Sequence, residues 1–241
     1  MKEILLLGDV HANYPALKAI GDYLQLDRFD WIINTGDLTV YSTFPNETIH
    51  WFRKLEDKAI CILGNTDKRI LKILKGKKLK KPRKKKKQVM YFWTCENLST
   101  ENIAYLKSLP KKNEFTIDGL RIGVFHGSLD DPNSELFPST PDSRFIELAK
   151  NSPYRVQIMG HSHVPFHKVI AGVHFINPGS VGRMFDGDPR ASFAILKVIS
   201  GELAVEHFRI PYPVENVIKG LKKNKLPDIY CKMFLTGKKL N

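Results

Sequence analysis

Residues 2–17, KEILLLGDVHANYPAL, decide how the rest of the chain is read. Ile4 to Leu7 is a continuous apolar run that stops at Gly8, which is the pattern of a buried strand. Past the glycine stand an acid, Asp9, and an imidazole, His11, with one residue between them. Asn13 is placed to cap a helix that the spacing of Leu17, Ile20 and Leu24 extends to Leu26. A core strand is a rigid post, so side chains just past its end are held where geometry matters.

The same texture continues along the first third. DWIIN and AICIL read as further strands, and Asn46–Asp57 reads as a helix between them. Alternating strands and helices imply parallel pairing through crossovers. Later the pattern changes. Asp118-Gly119, Gly172 and Gly201 each separate two strand-like runs and predict hairpins, so the fold is α/β with mixed sheets. Helices are predicted at Ser99–Ser108, Asp142–Asn151, from Val214, and at Asp228–Leu235.

The chain has 241 residues and 42% hydrophobic content, enough for one large or two small cores. No apolar run approaches the ~20 residues of a membrane-spanning helix, so no membrane association is expected. The N-terminal run is too short for a signal peptide and meets an acid at once. Three scattered cysteines predict no disulfide framework and a reducing, cytoplasmic setting. The net charge of +13 is local. Lys75–Lys87 is basic at every position except Gly76, Leu79 and Pro82, and without that block the chain is close to neutral.

Five strand-like runs end in one kind of chemistry. ILLLGDVH delivers Asp9 and His11, WIINTGD delivers Asp37, and AICILGNTD delivers Asn65 and Asp67. RIGVFHGS delivers His126, and RVQIMGHSH delivers His161 and His163. The carboxyl ends of strands in an open α/β sheet share a ligand crevice. Carboxylates, an amide oxygen and neutral imidazoles are the donor set of borderline divalent metals, and the lack of a thiolate argues against structural zinc. Two carboxylates and four imidazoles are too many for one ion. Two ions sharing a carboxylate would use them all.

The order GDVH, GD, GNTD, HGS, GHSH resembles the calcineurin-like metallophosphoesterases. NPGSVGRMFDGDPRASFAIL, at Asn177–Leu196, is similar to the small prokaryotic phosphodiesterase branch of that superfamily. The resemblance implies a four-layer α/β/β/α sandwich of two mixed sheets. Residues 1–210 would form the metallophosphoesterase domain, with a lysine-rich insertion loop at 75–90 and a helical extension at 211–241 packed on it. Asp9, His11 and His163 would hold one metal, Asn65, His126 and His161 the other, and Asp37 would bridge them. The ions would be manganese foremost, with iron, nickel, cobalt or zinc as alternatives.

The implied activity is phosphodiesterase hydrolysis of small phosphodiester or nucleotide substrates, by an ion-bound hydroxide attacking phosphorus in line. Asp37, Asn65, His126 and Asp67 would carry the catalysis, with Asp67 orienting an imidazole or capping a helix. Asn13, Arg183 and Arg190 are candidate substrate contacts, the arginines as phosphate clamps. Many members carry a histidine just after the metal-binding asparagine as a general acid. This chain has Thr66 there. The lysine block predicts a loose, self-repelling segment that could hold nucleic acid, which keeps a nuclease open as an alternative. A non-catalytic scaffold retaining the fold is the third possibility.

Overall fold

The computed structural model describes residues 1–77 and 85–240. The chain runs β1 (Lys2–Leu7), α1 (Tyr14–Tyr23), β2 (Trp31–Asn34), α2 (Pro45–Arg53), β3 (Ala59–Cys61), α3 (Asn65–Leu74) and α4 (Lys85–Asn97). It continues α5 (Thr100–Ser108), β4 (Asn113–Ile117), β5 (Leu120–Val124), α6 (Asp142–Lys150), β6 (Val156–Ile158), β7 (Phe166–Ile170) and β8 (Val173–Asn177). Two long strands, β9 (Ala191–Ile199) and β10 (Glu202–Ile210), precede α7 (Val214–Lys223) and α8 (Ile229–Thr236).

The strands form two five-stranded sheets, ordered β10-β9-β1-β2-β3 and β4-β5-β6-β8-β7. Within the first, β1, β2 and β3 are parallel and β9 runs antiparallel to β1. Within the second, β5, β6 and β8 are parallel, while β4 and β7 pair antiparallel at the edges. Both sheets are therefore mixed.

β1 shows why the layers stack as they do. Its side chains alternate between faces. Leu5 and Leu7 enter a core shared with the helices on one side, including Leu17, Ile49, Ile70 and Met90. Ile4 and Leu6 enter the core between the sheets with Ile122, Val124, Ile158 and Ile176. All four are fully buried, each worth about 2 kcal/mol of transfer free energy. A third core, of Phe145, Leu148 and Phe175, sits between the second sheet and α6. The result is a four-layer α/β/β/α sandwich.

The three predicted hairpins turn at Asp118-Gly119, Ala171-Gly172 and Ser200-Gly201, with positive φ at both residues of each. That is the geometry of a type I′ turn, which matches strand twist. α7 and α8 insert Val217, Leu221, Tyr230, Met233 and Phe234 into the helical core. No helix of the described residues is long and apolar enough to cross a membrane.

Two helices escape the sequence reading. α3 starts at Asn65 itself, and α4 takes up Lys85–Lys87, the end of the lysine block. The expected loop at 75–90 is thus corrected over its last part. Buried Met90, Tyr91 and Thr94 tie α4 to the core, which outweighs repulsion among exposed lysines. Residues 78–84, the rest of the block's centre, lie outside the described residues. Some helices are also shorter than predicted: α1 ends at Tyr23 and α2 at Arg53.

Candidate metal centre

Every candidate ligand lies just past the carboxyl end of a strand. Asp9 and His11 follow β1, and Asp37 follows β2. Asn65 follows β3 and opens α3, His126 follows β5, and His161 and His163 follow β6. The structure brings six of them into two groups. Asp9, His11 and His163 offer ligand atoms within 4.8 Å of one another, and so do Asp37, His126 and His161. Asp37 faces both groups. Its Oδ2 is 3.7 Å from His11 Nε2, and its Oδ1 is 3.7 Å from His126 Nε2.

Backbone carbonyls set the imidazole tautomers. His11 Nδ1–H donates to Thr39 O at 3.2 Å, and His126 Nδ1–H donates to Thr35 O at 2.9 Å. His163 Nδ1–H donates to Arg183 O. A carbonyl can only accept, so each ring keeps its proton on Nδ1 and turns the Nε2 lone pair inward. His11 Nε2 and His163 Nε2 are 3.2 Å apart, two lone pairs facing each other. Asp9 Oδ1 and His126 Nε2 are buried without any hydrogen-bond partner. Orphaned acceptors of this kind are costly unless a cation lies among them. The residues fit divalent metal on that ground.

Electrostatics point the same way. Burial, then the neighbouring charge of Asp37, pushes the Asp9 carboxyl well above its usual range. Burial likewise raises Asp37, and burial followed by Asp37 raises Asp67. Burial lowers His11, His161 and His163, and brings His126 down to about 4. The imidazoles are therefore neutral and ready to ligate, while the carboxylates need a positive charge.

The backbone is strained where ligands are held. Asp9, His11, Asp37, His161 and His163 all have φ between 48° and 68°. Val40 and Tyr41, next to this loop, have φ of 73° and 79°. Left-handed conformations at non-glycine residues cost energy and cluster at functional sites. Gly64 is required by contact instead: a Cβ there would overlap Asp37 Oδ1 and its backbone nitrogen.

Asp67 lies behind Asp37. Its carboxylate accepts from Leu38 N, Thr39 N, Thr39 Oγ1 and Gly64 N, between 2.7 and 3.2 Å. It pins the Asp37 loop to the start of α3 and orients no imidazole directly. Thr66 N donates to Asp37 Oδ1 at 2.8 Å, and its hydroxyl faces Thr39 O. Asn13 is used up structurally: its Oδ1 caps Ala16 N and its Nδ2 donates to Gly182 O. Arg190 does not join the site, because Asp188 holds its guanidinium at 2.7–3.1 Å. Arg183 is buried, and its guanidinium carbon lies 3.9 Å from the Tyr41 ring centre.

Two elements of the site have no signal in the sequence. Phe185 stacks on His163 with centroids 4.1 Å apart and planes 3° from parallel. Tyr41 meets the His11 ring edge-on at 5.1 Å. Burial acts to raise the Tyr41 hydroxyl, but Arg183 and then Lys87 outweigh it and leave the hydroxyl lowered.

The sequence and the fold are similar to those of known proteins. An uncharacterised protein of Methanocaldococcus jannaschii is 28% identical over an alignment covering 93% of this chain and 94% of that one. The crystal structure of a metallophosphoesterase from Sphaerobacter thermophilus is 26% identical with a TM-score of 0.82, covering 98% of this chain and 99% of that one. A hypothetical protein of Pyrococcus horikoshii shares the fold at a TM-score of 0.88 and 22% identity, covering 99% and 100%. A family model of the calcineurin-like phosphoesterase superfamily domain matches residues 1–201. With the match spanning most of its length, the chain belongs to the calcineurin-like phosphoesterase superfamily.

Proposed function

We propose that the protein is a metal-dependent phosphodiesterase acting on small phosphodiester or nucleotide substrates. Asp9, His11 and His163 would hold one ion, and Asn65, His126 and His161 the other, with Asp37 shared and manganese the foremost metal. The observation that carries this is the position of Asp37, one carboxylate oxygen 3.7 Å from an inward Nε2 of each group. Two divalent ions bound there supply Lewis-acid charge to phosphoryl oxygens and bring the pKa of water near neutrality.

The chain's own residues do the positioning. Thr66 N fixes Asp37, Asp67 fixes the loop that carries it, and three carbonyls fix the imidazoles. Ser128 and Ser180 do not serve as nucleophiles. Ser128 Oγ donates to Asp130 Oδ1 at 2.6 Å, and Ser180 Oγ donates to Asp9 O at 2.6 Å. Thr66 puts no imidazole beside the leaving group, and general acid help is typically worth ~10²–10⁴-fold. Aryl phosphodiesters, whose leaving groups need little protonation, are therefore the favoured assay substrates. A cytoplasmic setting accords with Cys61, Cys95 and Cys231 all being free.

The test is hydrolysis of bis(4-nitrophenyl) phosphate in manganese, with metal content measured in parallel. Asp37→Asn and His126→Ala are expected to lower turnover at least about 100-fold and to lose bound metal, while keeping native circular dichroism. Wild-type turnover in both variants would refute the assigned centre.

A further inference from the structure

Lys87 is the cation of the lysine block that α4 brings to the metal centre. It sits in the first turn of α4 and is half-buried, unlike its exposed neighbours Lys85 and Lys86. Its Nζ lies 5.6 Å from the Tyr41 ring centre, and that same ring lies 5.1 Å from the ring of His11. Its charge is felt at the Asp37 carboxylate. Among the described residues Lys87 forms no ion pair with a carboxylate, and its ammonium instead meets the Tyr41 hydroxyl. The guanidinium of Arg183 lies on the same tyrosine, so two cations flank one wall of the site. Thr66 Oγ1 donates to the carbonyl of Thr39, two residues before Tyr41 in the chain.

We propose that Lys87 is a phosphate clamp, and that the site takes substrates carrying a second phosphate beside the phosphoryl group attacked. The proposal rests on the phosphodiesterase reading above. A monoanionic diester meets its charge needs at two divalent ions and leaves Lys87 only its contacts with Tyr41. A pyrophosphate-linked substrate brings further negative charge, which an ammonium at the rim of the centre satisfies. Lysine is suited to this as a compact charge with three rotatable donors. Cationic clamps on phosphoryl groups act most strongly where water is scarce, as beside the buried Tyr41.

The experiment compares wild type with Lys87→Gln, Lys87→Arg and Lys86→Gln. Inorganic pyrophosphate is titrated calorimetrically into each manganese-loaded protein. Hydrolysis of ADP-ribose is compared with that of bis(4-nitrophenyl) phosphate, and melting temperature and metal content are recorded. Lys87→Gln is expected to weaken pyrophosphate binding about 10- to 100-fold and to lower the ADP-ribose to diester kcat/KM ratio by a similar factor. Lys87→Arg should recover most of both, and Lys86→Gln should behave as wild type. Three results would overturn the clamp. In one, wild type fails to bind pyrophosphate. In another, both glutamine variants weaken equally, which assigns affinity to the block's overall field. In the last, Lys87→Gln melts lower or loses metal yet binds pyrophosphate as before. If wild type hydrolyses neither substrate, the phosphodiesterase reading fails, and the pyrophosphate titration alone still decides the role of Lys87.

Discussion

At the scale of single residues, the centre depends on positions that bear no ligand. Gly64 has φ and ψ that any residue can adopt, so its requirement is purely steric. A methyl group there would push into the Asp37 carboxylate, whose Oδ1 is also held by Thr66 N. Gly64→Ala is expected to cut metal content and turnover by about 10- to 100-fold while the far-ultraviolet circular dichroism stays native, which metal analysis on the purified variant checks. The candidate ligands were legible because each is announced by a strand and a nearby glycine. Substrate contacts were not. Asn13 and Arg190 look free in the sequence, yet Gly182 and Ala16 use up the amide, and Asp188 uses up the guanidinium. Those partners are visible only once the chain is folded, except for Asp188, two residues from Arg190 and readable as a local pair.

At the scale of elements, strands and hairpins were readable because period-two patterns and X-Gly turns are local signals. α4 was not. Lys85–Lys87 extends a run that repels itself, and the next residues are apolar on every side of the helix. Val89 and Phe92 stay exposed while Met90 and Tyr91 are buried, so no face stands out in the sequence. Packing alone selects the helix. Met90 is fully buried in the core that also holds Ile70 of α3. Met90→Ala is expected to cost about 2–5 kcal/mol in urea unfolding, as cavity-forming core truncations do. A loss below about 0.5 kcal/mol would show that α4 is loosely attached.

At the scale of the whole molecule, three buried acids set how stability responds to pH. Asp9, Asp37 and Asp67 have folded pKa values raised by burial, so without a cation the native state binds more protons than the unfolded chain. Stability of the metal-free protein must then fall as pH rises from the unfolded value of about 4 through the raised folded values. The imidazoles act oppositely, costing stability only on acidification below about 6.5. Metal competes with protons for the carboxylates. The rise in melting temperature on adding manganese to chelator-treated protein is therefore expected to be larger at pH 7.5 than at pH 5.5. An equal rise at both would contradict the raised carboxylates. The same wide assembly has a consequence for how the molecule is made. β1 lies between β2 and β9, so residues 2–6 find their antiparallel partners only at 194–198. During synthesis, Asp9 and His11 emerge early but lack His163, and their supporting strand stays open along one edge until β9 leaves the ribosome. Any cation loading of this centre would therefore belong to the late or finished polypeptide.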